Sequence, residues 1–273
     1  MNNKQIIKKL VFFGDSEYSK IILNRLNETE LDANFTSYNF KPDLIIGKNS
    51  KHLLNDKYSL GIVASYGKII PKNIIKKFKY GILNIHPSLL PKYRGPSPLQ
   101  ETIINGDKIA GVTIIKMTEK IDAGPILIQR EFIIDKKYTT KKLGEILFNL
   151  GANLLIDILE KLKQSVTELP IVKQDENKAT YTNLIKKENA KINWKESPEI
   201  IERKIRAYIE WPIAFSYAKI KTKNQKSKII RIQILEAEVQ NNEIKIKKIR
   251  PEGRKDMSWS DFLRGYSFQG FLD

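Results

Sequence analysis

Three side chains of types that act together on a carbonyl fall within a short span of this sequence. Asn84 and His86 stand two apart in Asn84-Ile-His-Pro-Ser-Leu-Leu-Pro91, and Asp122 opens the tight run Asp122-Ala-Gly-Pro125. Residues two apart on an extended strand point to the same face. An amide, an imidazole and a carboxylate suit acyl transfer to an amine without a covalent enzyme intermediate. Attack on an acyl carbon creates an oxyanion, which the Asn84 amide and a protonated His86 are placed to stabilise. Asp122 beside His86 would steady the protonated ring and fix its orientation. His86, Asp122 or an ordered water would carry the protons between attacking amine and departing nitrogen. An α-amino nucleophile titrates near ~8 and needs little activation. The main task is therefore to hold two substrates together. A hydrolase triad on Ser88 is excluded by motif, because Ser88 lacks the flanking glycines of a nucleophile elbow.

These residues must be carried by larger elements. Buried strands are expected at 10–14, 43–47, 60–64, 81–85 and 111–115, each a short apolar run, with helical patterns at 73–78 and 99–105 between them. Ser16 is a candidate cap for a helix whose apolar residues include Ile21, Ile22 and Leu26. Strands alternating with helices predict an α/β fold: a Rossmann-like open, mostly parallel sheet with helices on both faces. Asn84 and His86 then sit at the carboxyl end of a strand, where such sheets bind ligands. Gly14 alone does not make a dinucleotide fingerprint, since its companion glycines are missing.

A long amphipathic helix over 140–162, with Leu143, Leu147, Leu154, Leu155 and Ile158 on its apolar face, is expected to close the first domain. The polar stretch after it reads as a linker. Beyond it, Ser197-Pro198 makes a helix start. Alternating segments at 215–220, 229–237 and 243–249 suggest a small OB-like β-barrel. A last helix is expected near Ser258, with Asp261 three residues on. The expected domains are thus 1–163, a linker at 164–180, and 181–273.

Composition narrows the classes. The 273 residues suffice for two domains, and 41% hydrophobic residues suffice for packed cores. There is no cysteine, which excludes disulfides, thiolate metal sites and a cysteine nucleophile. Two histidines, His52 and His86, cannot build a histidine-rich metal centre. The apolar run 10–13 behind Lys8-Lys9 is too short for a signal core or a membrane span, so a cytoplasmic protein is expected. The formal charge of +17 favours a polyanionic partner.

The stretch around these residues resembles the formyl-folate-dependent formyltransferase family. The matching run comprises Tyr66-Gly-Lys-Ile-Ile-Pro71, Asn84-Ile-His-Pro-Ser-Leu-Leu-Pro-Lys-Tyr-Arg-Gly95, Pro98-Leu-Gln100, Asn105-Gly106, Gly111-Val-Thr-Ile114 and Ile121-Asp-Ala-Gly124. The resemblance implies that Asn84, His86 and Asp122 are the catalytic set. It implies 10-formyltetrahydrofolate as formyl donor, no metal, folate contacts at Ser88, Leu89, Leu90 and Pro91, and a pterin pocket at Lys68, Ile69, Ile70 and Ile121.

The tail points to the acceptor. Thr180-Tyr181, Ile192-Asn-Trp194, Ile205-Arg-Ala-Tyr208, Trp211-Pro212, Arg250-Pro-Glu-Gly253 and Met257-Ser-Trp-Ser-Asp-Phe-Leu-Arg-Gly265 resemble the branch of the family that formylates methionyl-tRNA. From 219 to 255 there are 12 Lys and Arg against 4 Glu, a surplus suited to a phosphate backbone. Initiator methionyl-tRNA is therefore the expected partner of a monomeric enzyme. The stretch 31–60 is shorter than the family's usual segment there, which carries a basic loop for the acceptor stem. Two alternatives stay open: the same chemistry on an amino sugar nucleotide, and a non-catalytic RNA-binding protein on an inactive domain.

Overall fold

The computed structural model describes residues 10–28, 60–163, 170–221 and 227–272. The strand expected at 43–47 and the shortened segment 31–60 fall outside the described residues, except for Leu60. Two compact units are present. One contains 1–98, 109–133 and 144–183, the other 99–108, 134–143 and 184–273.

The first unit is built on a five-stranded sheet in the order β1 (Leu10–Phe13), β2 (Leu60–Ala64), β3 (Ile82–His86), β4 (Ile109–Lys116), β5 (Ile126–Ile133). The pairs β1–β2 and β2–β3 are parallel, while β3–β4 and β4–β5 are antiparallel. The mixed α/β sheet agrees with the expected class. Its antiparallel half arises because the chain turns back after β3 and then returns in a β4–β5 hairpin. β1 and β2 are buried along their whole length, which explains their unbroken apolar runs.

Helix α1 (Glu17–Glu28) starts where Ser16 Oγ accepts the Ser19 amide at 3.1 Å. A one-turn helix, α2 (Lys72–Ile75), follows Pro71, and α3 (Pro98–Ile104) precedes β4. The long α4 (Thr140–Lys163) buries Leu143, Leu147, Leu154, Leu155 and Ile158 as its periodicity predicts. Its Gly151 lies so near the sheet that a Cβ there would stand 2.7 Å from Ile85 Cγ2 and 3.1 Å from Val112 Cγ2. That close approach presses α4 directly onto the strand bearing Asn84 and His86.

Residues 170–183, partly expected as linker, pack into the first unit. Thr180 O accepts from Arg94 N, and Arg94 O accepts from Thr182 N. Val172 and Ile126 exchange backbone bonds at the sheet edge. Hydrogen bonding rather than apolar periodicity docks this stretch, so its polarity read as a loop.

The second unit contains α5 (Pro198–Ala207), β6 (Phe215–Lys221), β7 (Ser227–Gln240), β8 (Glu243–Pro251), β9 (Met257–Ser258), α6 (Trp259–Gly265) and β10 (Ser267–Leu272). The strands form an antiparallel sheet ordered β10-β6-β7-β8-β9. Ser197 Oγ caps α5 with proline at its start, and Ser258 Oγ accepts the Asp261 amide at 3.0 Å, as the sequence suggested. Asn241 and Asn242, both at positive φ, turn β7 into β8. Ile201, Ile205, Ile220, Ile232, Ile249 and Phe262 make the core. Several basic strand residues already face acids: Lys247 meets Glu238 at 2.7 Å, and Arg250 meets Asp256 at 2.6 Å.

Candidate active site

β3 places Asn84 and His86 on one face of the sheet, two residues apart at its carboxyl end. The loop that must meet them leaves β4 at Lys116, which pairs with Leu83, and Met117 N donates to Ile82 O. It then arcs back along β3. Its turn forces Asp122 into the left-handed region at φ 47°, tolerable for aspartate. Gly124 is required there, because a Cβ would lie 1.8 Å from the Lys116 carbonyl oxygen.

Asn84 and His86 converge on the carboxylate of Asp122. Asn84 Nδ2 donates to Asp122 Oδ1 at 2.9 Å. The other oxygen, Oδ2, accepts the Gly95 amide at 2.8 Å and lies 3.6 Å from His86 Nδ1. His86 Nε2 is 2.9 Å from the Tyr93 carbonyl oxygen, and the residue is 4% exposed. A carbonyl can only accept, so Nε2 carries the proton of that bond and Nδ1 is the nitrogen on the Asp122 side. At 3.6 Å the Nδ1–Oδ2 contact is an ion-pair distance rather than a hydrogen bond.

The turn after β3 is tied down by its own bonds. Ser88 is buried, with Oγ donating to Lys92 O at 2.6 Å. Thr113 Oγ1 donates to Ser88 O and accepts from Leu90 N, while Gln129 Nε2 donates to Leu90 O. Leu90 is buried, Leu89 packs over Gly111, and Pro91 is half-buried with its carbonyl accepting from Thr180 N. Among the residues expected to line a pterin pocket, Ile70 turns inward to the cluster of Phe13, Val63 and Ile74. Lys68 is exposed, Ile69 stands 82% exposed, and Ile121, next to Asp122 on the carboxylate loop, stands 64% exposed. Glu119 links the two loops through Lys72 at 2.6 Å and Lys76 at 3.9 Å.

Sequence reasoning missed the second layer. The Tyr93 carbonyl, the Gly95 amide and Thr113 lie inside matching runs without a role read for them, and Gln129 lies outside any. Tyr93 and Gly95 lie at positive φ (63° and 112°), which Lys-Tyr-Arg-Gly at a strand-to-helix turn hints at. Arg94, inside a recognised motif, is 1% exposed. Its guanidinium takes both Glu176 oxygens at 2.9 Å, and this bond raises the Arg94 pKa and lowers that of Glu176.

Comparison with known proteins places this chain in a family. The formyl transferase family matches residues 30–159, and its C-terminal domain matches 184–244. A methionyl-tRNA formyltransferase of Bacillus cytotoxicus is 34% identical, over 94% of this chain and 95% of its own. The solved methionyl-tRNA formyltransferase from Clostridium thermocellum superposes with TM-score 0.66 at 24% identity, covering 90% of this chain and 99% of that one. HypX from Aquifex aeolicus, solved with tetrahydrofolic acid, superposes with TM-score 0.68 at 18% identity, covering 94% of this chain and 47% of that one. Both family domains are present in order and one relative matches along nearly its whole length, so the chain belongs to the formyl transferase family, in its methionyl-tRNA formyltransferase branch.

Proposed function

We propose that this enzyme transfers the formyl group of 10-formyltetrahydrofolate to the α-amino group of initiator methionyl-tRNA, using Asn84, His86 and Asp122. The observation that carries the reading is the convergence of an amide and an imidazole on the two oxygens of Asp122. The amine attacks the formyl carbon and forms a tetrahedral oxyanion. The second Asn84 Nδ2 proton and His86 Nδ1–H are the donors for it. Asp122 offsets the ring's positive charge and assists transfer of the proton from the amine to the departing folate nitrogen. The folate site is assigned to Ser88, Leu89, Leu90, Pro91, Lys68, Ile69, Ile70 and Ile121: exposed Ile69 and Ile121 offer apolar surface to the flat pterin, while buried Ser88, Leu90 and Ile70 hold the segments that carry it.

The domain boundaries expected from sequence assign catalysis to 1–163 and RNA binding to 181–273, whose strands carry Lys219, Lys221 and Lys228. Among described residues no helix is long and apolar enough to cross a membrane. The reaction belongs to translation initiation and so to the cytoplasm, with the enzyme acting as a monomer.

The test supplies 10-formyltetrahydrofolate with charged initiator tRNA or with an amino sugar nucleotide. Formylation of the tRNA is expected, and formylation of the sugar alone would replace the acceptor. His86→Ala is expected to retain RNA binding while turnover falls by about 10²–10⁴. Unchanged turnover would remove His86 from the mechanism.

A further inference from the structure

Gln174 belongs to the polar stretch between the two apolar-patterned regions, and no sequence motif marked it. It is 5% exposed, and its carboxamide is used at both ends. Oε1 accepts from Arg94 Nε at 3.1 Å and Nη2 at 2.8 Å. Nε2 donates to the backbone carbonyl of Asp122 at 2.8 Å and to that of Gly124 at 2.7 Å. Only one amide orientation serves these neighbours. A guanidinium has nothing but donors, and the two carbonyls have nothing but acceptors.

The position of this amide matters to the carboxylate in front of it. Asp122 sits at positive φ in a loop pinned by Gly124 against the Lys116 carbonyl. Two carbonyls flanking Ala123 converge on one NH2 group, which fixes the arc of the loop from behind. The other end of the amide grips Arg94. On either side of Arg94 stand the Tyr93 carbonyl that binds His86 and the Gly95 amide that binds Asp122. One side chain thus spans the two backbone segments whose separation sets the Asp122–His86 distance.

We infer that Gln174 is a positioning residue for formyl transfer: its amide, oriented by Arg94, holds the Asp122 loop where one carboxylate serves both Asn84 and His86. The inference rests on the catalytic reading of Asp122 given above.

The experiment compares four full-length variants with wild type in steady-state assays of 10-formyltetrahydrofolate and charged initiator tRNA. Gln174→Glu keeps the size and the oxygen facing Arg94, but sets an acceptor against two carbonyls. Gln174→Met keeps the length without an amide and serves if the glutamate variant does not fold. Asp175→Ala weakens the same stretch by removing the cap of the adjacent 3-10 turn, Glu176–Lys178, without touching Gln174. Asp122→Asn is the reference for the catalytic reading. Urea unfolding identifies conditions in which each variant is fully native.

The expected result for the Gln174 variants is a fall in kcat of about 100-fold, the scale of a misplacement near 1 Å. The KM for the folate donor should change by less than about threefold, because of the residues assigned to the folate site only Ile121 lies on the loop that Gln174 holds. The His86 ring resonance, one of two histidines, should shift. Asp175→Ala should keep the wild-type kcat. A native Gln174 variant with wild-type kcat would overturn the inference, as would a loss matched by Asp175→Ala in proportion to stability. An inactive Asp122→Asn beside an active Gln174 variant overturns this inference alone; an active Asp122→Asn overturns the catalytic reading and this inference with it.

Discussion

Asn84 and Asp122 are joined by a single amide-to-carboxylate hydrogen bond of 2.9 Å, and the oxygen that Asn84 does not use accepts the Gly95 amide. The carboxylate therefore has a donor on each side and can take only acceptors' roles toward them. That arrangement fixes its rotation, keeps one Asn84 proton for substrate, and leaves the face toward His86 Nδ1 as its reactive side.

Asp122→Asn has no orientation that fits. Its NH2 group would oppose either the Asn84 NH2 or the Gly95 N–H, donor against donor. Turnover is expected to fall by about 10²–10⁴, since charge and proton acceptor are both lost. Single-turnover rates measure it, and a wild-type rate would take Asp122 out of the chemistry.

Gly124→Ala must move the loop. The added Cβ would lie 1.8 Å from the backbone oxygen of Lys116, a neighbour that cannot swing aside. Activity is expected to drop by about 10-fold or more while far-ultraviolet circular dichroism stays native, because the disturbed bonds belong to the site and not to the sheet. Full activity would show that the loop has slack.

Glu176 supplies a pH signature independent of turnover. Its hydrogen bond to the buried Arg94 holds its carboxyl below the ordinary 4.5. A depressed carboxyl stabilises the fold above the unfolded value, and that contribution is lost as pH falls through the folded one. Glu176→Gln is expected to lower the urea midpoint modestly at neutral pH, where the contribution is fully present, and to converge with wild type as pH falls below 4.5, so that the variant's stability curve is flatter there. Identical slopes in urea titrations across that window would dissociate Glu176 from acid unfolding.

Tyr66 offers the opposite sign. Its hydroxyl is buried with no hydrogen-bond partner among the described residues, and burial, with Asp15 second, pushes its pKa up to about 12. The neutral phenol is favoured in the fold, so its contribution holds below pH 10 and is lost as pH rises toward about 12. Tyr66→Phe is expected to keep or raise the urea midpoint at pH 7, since no bond is broken. It should also remove the alkaline loss; a lower midpoint at neutral pH would mean the hydroxyl has a stabilising partner.

Much of this architecture could be read from residue order. The unbroken apolar runs of β1 and β2 follow from burial on both faces, and the period of α4 follows from one face against a sheet. Ser16, Ser197 and Ser258 start helices because their hydroxyls meet orphan amides a few positions on, a local interaction that local sequence encodes. The antiparallel direction of β4 was not legible, because a short apolar strand has the same pattern in either direction. Nor was the docking of 170–183, whose polar residues bond to backbone rather than bury apolar surface.

Sequence alone determined that Asn84 and His86 share a face, since strand pleating is a property of two neighbouring residues, and it supplied an acid in a tight loop 36 positions after His86. Only the tertiary structure decided that this acid meets both of them, which nitrogen of His86 faces it, and that Gln174 and Arg94 stand behind it. Those relations depend on chain segments far apart in sequence, brought to hydrogen-bonding distance by the packing of a sheet, and no local pattern records a bond whose partner is fifty or eighty residues away.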